Sequence, residues 1–204
     1  MFQKILRPDS PLMVTMTQIT DCVFLSLFWI LGCFPVVTVG ASSAALYDAV
    51  VQGYRRGDKH PWQRFFRSFR RNILPGLVPT IVYLAALWLL GKGLIALWNG
   101  AVTGGTSWMV FSSGAFLGAT VLGILSVLFP MLSRFENPTV VLLKNTLLVA
   151  MANLPRTIAL GMLHALAVVL CLRYIYPLFF LPGLYALLST LLIEPMFRPY
   201  MPKE

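Results

Sequence analysis

Three acidic side chains fall within or at the edge of long apolar stretches of this sequence: Asp21, Asp48 and Glu194. A charge in hydrocarbon is costly, so each is a candidate for a cation or proton site, or for one half of a buried ion pair. Asp21 follows the start of its stretch by about two helical turns, and Asp48 precedes the end of the next stretch by a similar distance. In antiparallel neighbours the two carboxylates then come to similar depth, ~10 Å in at ~1.5 Å per residue. Glu194 closes the last stretch on the same side. The structural reading pairs these acids with loop arginines such as Arg55, Arg56 or Arg156, which would pin one end of a helix bundle; the chemical reading is a cation or proton site.

His164 is the one histidine inside an apolar stretch. It reads as a hydrogen-bonded neutral imidazole or, alternatively, as a proton relay or metal ligand. No second His or Cys stands at ligand spacing from it. Cys22, Cys33 and Cys171 all sit in apolar runs, with neither a disulfide framework nor zinc spacing, and read as small buried side chains. Asp58 and His60 share a polar loop without a third group to support them. No nucleophile–base arrangement, phosphate loop or pair of catalytic acids at an aqueous surface is visible, so neither an enzyme nor a bound cofactor or metal is expected. Asp21, Asp48, His164 and Glu194 remain as the candidate intramembrane polar site.

The elements that must carry these residues are transmembrane helices. The chain is 58% hydrophobic and 11% charged, whereas soluble domains are nearer a quarter charged. Its apolar residues come in long runs rather than the short alternating segments of a β-barrel. The fold class is therefore all-α: one transmembrane domain over residues 1–204, with about six spans near 14–34, 36–54, 75–98, 107–130, 156–172 and 176–195. Each is long enough, marginally for the shortest, to cross ~30 Å of hydrocarbon. Pro75 and Pro155 stand at span starts, where a missing N–H costs little, and Asn72 and Asn153 just before them are plausible caps. The second stretch is small and only moderately apolar, and Pro35 and Gly40 interrupt it, so it either crosses or is re-entrant. Lys4 and Arg7 before an apolar stretch, with Ala41-Ser42-Ser43-Ala44 after it, have some features of a cleaved signal. The stretch is long for one, however, and more spans follow, so no cleavage is expected.

The net charge of +9 reflects topology rather than nucleic-acid binding. With six spans and the N-terminus inside, all but Lys92 and Arg173 of the 16 Lys and Arg residues fall on one side, as cytoplasmic loops require. If residues 36–54 do not cross, Lys4 and Arg7 move to the other side and the asymmetry weakens. Both termini are therefore expected in the cytoplasm.

Two loops on that side are expected to be helical. In residues 62–73, Trp62, Phe65, Phe66, Phe69 and Ile73 share a face at 3.6-residue periodicity. Arg64, Arg67 and Arg71 lie opposite, with Arg70 at the flank. This pattern predicts an interfacial helix with rings in the acyl boundary and guanidinium groups toward anionic lipid headgroups, or else a docking surface for another protein. Residues 138–152 open on Asn137-Pro138, a good helix start, and carry Lys144 and Asn145 mid-segment, so they lie on the membrane or beneath the bundle. The outer loop near Asn99 to Ser107 is Gly-rich and uncharged. Gly114 and Gly118 form a small-xxx-small stripe for close helix packing, within the chain or between copies, which leaves a homo-oligomer open. Pro177 and Pro182-Gly183 permit a kink in the last span. The related endings Asn72-Ile73-Leu74-Pro75 and Asn153-Leu154-Pro155 raise the question of an internal repeat.

Leu31-Gly32-Cys33-Phe34-Pro35-Val36-Val37-Thr38-Val39-Gly40-Ala41, then Ala44-Ala45-Leu46-Tyr47, then Phe65-Phe66-Arg67-Ser68-Phe69-Arg70-Arg71-Asn72, resembles the YesL-like family of bacterial integral membrane proteins, a domain of unknown function. Asn153 to Thr157 adds a further matching segment, and the resemblance runs along essentially the whole chain. It implies a bacterial cytoplasmic membrane and an association with carbohydrate-import systems, because such proteins are typically encoded beside sugar transporters. It supplies no catalytic or ligand residues. The resulting expectation is a non-catalytic membrane accessory or scaffold, with anionic lipids and components of a sugar-import system as partners. The alternative is a small ion- or proton-coupled transporter or channel.

The topology is testable by cysteine labelling from outside, on a background without native cysteines. A Cys at Asn99 should label and one at Lys59 should not, and the reverse pattern would sink the orientation. External labelling at Ser10 would mean that residues 36–54 do not cross.

Overall fold

A helix that begins inside a helix bundle in lipid leaves backbone N–H groups that water cannot reach, and the chain must satisfy them from within. The computed structural model describes residues 11–55 and 60–200, with side chains from Thr20 to Tyr54 and from His60 to Tyr200. Among these, the chain is helical and without strands: α1 Pro11–Cys33, α2 Val39–Val50, α3 Pro61–Val102, α4 Trp108–Arg134, α5 Thr139–Ala152, α6 Leu154–Arg173 and α7 Leu181–Phe197. Short 3-10 turns cover Val36–Thr38, Tyr176–Phe179 and Arg198–Tyr200, and α2 runs on into a π-helical turn at Val51–Arg55. The all-α expectation holds.

Three helices, α3, α4 and α6, are long and apolar enough to cross a membrane. The other expected spans are less regular. α1 has 23 residues, while α7 has 17, about 25 Å at ~1.5 Å per residue. The stretch 36–54 is helical but changes winding twice, from 3-10 to α to π.

Within that stretch, α2 is the most enclosed helix among the described residues. From Gly40 to Val51 every residue except Ser43 is buried, and α2 packs against α1, α3, α4 and α7. Its small side chains let these neighbours approach closely. Gly76 of α3 lies against the backbone of Ala41. This explains why α2 reads as only moderately apolar: it faces protein rather than lipid, so it needs small size more than greasiness.

The ends of α2 and α7 show how polar backbone is handled. Neither N-cap residue, Thr38 or Phe180, caps with its side chain. Instead the Gly40 N–H donates to Thr80 Oγ1 of α3 at 3.1 Å, and the Gly183 N–H donates to Ser26 Oγ of α1 at 2.9 Å. Each hydroxyl in turn donates to the carbonyl four residues back in its own helix, Thr80 to Gly76 at 2.6 Å and Ser26 to Cys22 at 2.8 Å. Pro182 falls in the first turn of α7, so the expected Pro182-Gly183 kink is a helix start, placed where a missing N–H costs little.

α3 differs most from expectation. The interfacial helix read over 62–73 and the span read over 75–98 are one helix of 42 residues, about 63 Å long at ~1.5 Å per residue. Pro75 and Pro79 both lie inside it. Asn72 is not a cap: its Nδ2 donates to the Ser68 carbonyl at 2.8 Å within the helix. A proline removes one intrahelical bond and disfavours but does not forbid continuation, and here the packing of α2 against Gly76 and Thr80 holds the helix through both. Asn153 behaves differently, ending α5 and preceding α6 with no side-chain cap. The two Asn…Pro segments therefore occupy unlike positions and do not mark equivalent halves.

α4 returns antiparallel along α3. Gly118 meets Leu94, Tyr83 and Phe129 rings lie 4.8 Å apart, and Arg71 Nη2 donates to the Ser133 carbonyl at 3.1 Å. Gly114 likewise faces Leu97, so the Gly114–Gly118 stripe is used within the chain. At the α3–α4 turn Gly104 has φ +77°, and Trp98, Trp108 and Phe111 pack edge to face. The tightest helix crossing lies elsewhere, where Gly123 of α4 meets Thr157 and Gly161 of α6 meets Ala119. A Cβ on either glycine would overlap a carbonyl oxygen of the other helix.

Gly123→Ala should therefore lower the melting temperature of the purified protein, with a cost of about 1–3 kcal/mol or more from overpacking. Gly91→Ala, at a site facing open space, should leave it unchanged or raise it, since alanine is the better helix former by up to ~1 kcal/mol. Equal effects at both sites would contradict this crossing.

Candidate functional site

Two of the three acids are consumed by ion pairs, though not with the arginines expected. Asp48 is buried in α2 and accepts from Arg64 of α3, Nε to Oδ2 at 2.9 Å and Nη2 to Oδ1 at 3.5 Å. Glu194 of α7 accepts from Arg134 Nη2 of α4 at 2.7 Å and from the Tyr47 hydroxyl of α2 at 2.9 Å. Arg156, expected as a partner, donates to Asn153 Oδ1 at 3.3 Å instead. The side chain of Arg55, all of Arg56, and the termini with Lys4, Arg7 and Lys203 lie outside the described residues, as does Asp58. Tyr47 and Asp48 are adjacent, so one turn of α2 ties α3, α4 and α7 together through two carboxylates. Arg134 is nine-tenths buried, and its Nε has no hydrogen-bond partner among the described residues. The sequence carried a hint of this pair, since Arg134 ends an apolar helix on the same side as Glu194.

This pairing corrects the reading of residues 62–73. Arg64 does not face lipid headgroups, and the aromatic residues do not form one lipid-facing stripe. Phe65 is 1% exposed and lies in a core cluster with Leu25, Ala45, Val50 and Ala186, while Phe66 is 43% exposed. Phe28 of α1 packs on both rings, at 6.0 and 5.0 Å, and Phe69 stacks on Phe65 at 6.1 Å. Burial follows Pro61, Phe65, Ser68, Asn72 and Gly76, leaving Trp62, Gln63, Phe66, Arg67, Arg70 and Arg71 outward. Arg71 also holds the Ser133 carbonyl. The helical period holds, but the aromatic residues expected to share one lipid-facing side divide between core and surface, because small polar residues (Ser68 and Asn72) complete the buried stripe.

His164 of α6 joins a second polar group. Its Nδ1 lies 2.7 Å from Ser126 Oγ of α4 and 3.2 Å from the Tyr185 hydroxyl of α7, and its Nε2 lies 3.4 Å from the Tyr83 hydroxyl of α3. Ser126 Oγ–H donates to the Leu122 carbonyl at 2.8 Å, which leaves the oxygen to accept from imidazole Nδ1–H while Tyr83 donates to Nε2. Four helices thus meet on one imidazole. Ser and Tyr within apolar helices are not rare enough to announce such a group in a sequence. His164 does not converge with the acids: its partners are all hydroxyls, and Asp48 and Glu194 are held by other side chains.

Asp21 stands apart. It is half-buried, lines a cavity beside Pro61 and Trp62, and forms no ion pair or hydrogen bond among the described residues. Cys22, Cys33 and Cys171 are free thiols. The four residues of the candidate polar site therefore separate into two structural ion pairs, one hydroxyl-bound imidazole and one acid at a cavity.

A family model described as a protein of unknown function, DUF624, matches residues 22–94. Over that stretch, about a third of the chain, the match agrees with the YesL-like resemblance, since YesL carries the same domain; the resemblance expected along the rest of the chain is not tested by it. The matched stretch covers the second half of α1, all of α2 and α3 through Leu94, and so includes the Asp48–Arg64 pair and the Thr80–Gly40 bond. No curated protein and no solved structure matches the chain.

Glu194→Gln should destabilise the protein by ~3–5 kcal/mol, because it strands the Arg134 guanidinium in the interior. Asp48→Asn should cost less, since the Arg64 side chain is 31% exposed and can turn to water whereas Arg134 is 10% exposed. Tyr47→Phe removes one hydrogen bond to a carboxylate, worth about 1.5–3 kcal/mol. Thermal melts in detergent check the order, and a larger loss for Asp48→Asn than for Glu194→Gln would contradict it.

Proposed function

We propose that this membrane protein, similar over residues 22–94 to a family of unknown function, is a non-catalytic accessory or scaffold of the bacterial cytoplasmic membrane, associated with carbohydrate import. What supports this reading is the continuity of α3. Its first turns display Trp62, Phe66, Arg67 and Arg70 outward, on the side where the positive-inside rule sets the cytoplasm. The same unbroken helix of 42 residues runs on into the membrane. The inner face of that segment is fixed to the bundle by Phe65 and by the Arg64–Asp48 pair. A partner bound to Arg67 and Arg70 is therefore coupled rigidly to the transmembrane bundle, which is what a scaffold requires. Two of the buried carboxylates serve as helix ties rather than as reactive groups.

The hydroxyl-bound His164 favours a second reading, a small proton-coupled transporter, because Tyr83, Ser126 and Tyr185 offer a chain of hydroxyls around one imidazole. A transporter of that kind loses uptake in proteoliposomes on His164→Gln while keeping its melting temperature.

For the scaffold, the informative variant is Arg67→Gln/Arg70→Gln. Arg64 and Arg71 are unsuitable, since both also bond within the chain. The double variant should insert and melt as the native protein does, yet lose its co-purifying transport components and impair growth on the imported sugar. Arg67→Lys/Arg70→Lys keeps the charge for lipid but loses the planar fork that carboxylates favour, so partner loss there too separates docking from lipid anchoring. Retention of every partner and normal growth in both variants would overturn the proposal.

A further inference from the structure

Where α1 passes the start of α3, Asp21, Phe24, Leu25, Phe28, Pro61 and Trp62 line a cavity of about 220 Å³. Its chemistry is unlike the rest of the bundle. Asp48 and Glu194 each have an arginine, but Asp21, midway along α1, has none among the described residues. Around this one carboxylate stand three aromatic rings. Phe28 is held in place by Phe65 and Phe66, Leu25 is fully buried and closes the floor, and Phe24 and Trp62 are about half exposed and form the rim. Tyr54 also lies within electrostatic reach of Asp21.

We infer that this cavity binds an alkylammonium group. A carboxylate among aromatic faces suits an organic cation, which gains the Coulomb attraction of Asp21 and the cation–π attraction of Phe24, Phe28 and Trp62 together. A small inorganic cation would need more oxygen ligands than one carboxylate supplies, and no group of three His, Cys, Asp or Glu residues converges among the described residues. An anion is repelled, and a neutral apolar guest leaves Asp21 uncompensated. The open rim is built from Trp62 and Phe24 at one end of a membrane bundle, a place where aromatic side chains meet lipid headgroups. The ammonium group comes either from the headgroup of a membrane lipid or from a free amine, and the two sources are separable by experiment.

Full-length protein purified in maltoside is titrated with choline and with 3,3-dimethylbutan-1-ol, its neutral isostere, following tryptophan fluorescence and heat. The same protein in nanodiscs is then assayed by native mass spectrometry for retained phosphatidylethanolamine or phosphatidylcholine against phosphatidylglycerol. Expected is saturable choline binding that the isostere fails to match by roughly tenfold or more, or selective retention of the ammonium lipids. The first result names a free amine as sufficient and the second, without choline binding, names the lipid. Asp21→Asn and Trp62→Ala should each abolish whichever signal is seen, and Asp21→Glu should keep it, which separates loss of the site from loss of the fold. Equal binding of the isostere, or an unchanged Asp21→Asn variant, would overturn the inference.

Discussion

The structure depends on satisfying backbone donors at helix starts that lie inside the bundle. Unpaired in hydrocarbon, each such N–H costs several kcal/mol. This chain answers with hydroxyls borrowed from neighbouring helices: Thr80 receives the N–H of Gly40, and Ser26 receives that of Gly183. Because each hydroxyl donates its own hydrogen bond to a carbonyl of its own helix, one side chain satisfies two helices at once. Thr157 works in a related way from α6, donating to the Ala150 carbonyl near the end of α5 at 2.8 Å. These bonds fix where α2 and α7 begin, and so set which residues reach α3 and α4.

The charged ties follow from that placement. With α2 anchored at Gly40 against Thr80, its other end brings Tyr47 and Asp48 to the level of Arg64, Arg134 and Glu194. A buried ion pair contributes little net stability compared with an apolar replacement, but breaking one is costly, so such pairs specify geometry more than they strengthen it. Here they specify that α3, α4 and α7 meet around one turn of α2. The unbroken α3 then connects this junction to the outward face of Arg67 and Arg70. A partner docked there acts on the whole bundle through one continuous helix.

Asp21 shows the complementary case. Among the described residues its neighbours are aromatic rings rather than a guanidinium, and the difference in environment separates it in kind from two acids that look equivalent in the sequence. Among the described residues the three carboxylates have three different surroundings: a partly exposed arginine, a buried arginine with a phenol, and an open aromatic cavity.

The sequence by itself determined the solvent and the class of fold. Long apolar runs with few charges, without the short alternating segments of a barrel, leave helices to satisfy the backbone, and most helix positions followed from those runs, the start of α3 at Pro61 excepted. It also picked out Asp21, Asp48, His164 and Glu194, because charged and imidazole groups are conspicuous in apolar surroundings. It did not show that residues 62–73 and 75–98 are one helix, since Pro75 and Pro79 argue locally for a break and only the packing of α2 on Gly76 and Thr80 resolves it. Nor did it show which arginine pairs with which acid, which phenylalanine is core, or that Tyr83, Ser126 and Tyr185 surround His164. Those are contacts between residues far apart in the chain. Local propensity carries no information about them, and they were decided only by where small residues such as Gly40, Gly123 and Gly161 let the helices come together.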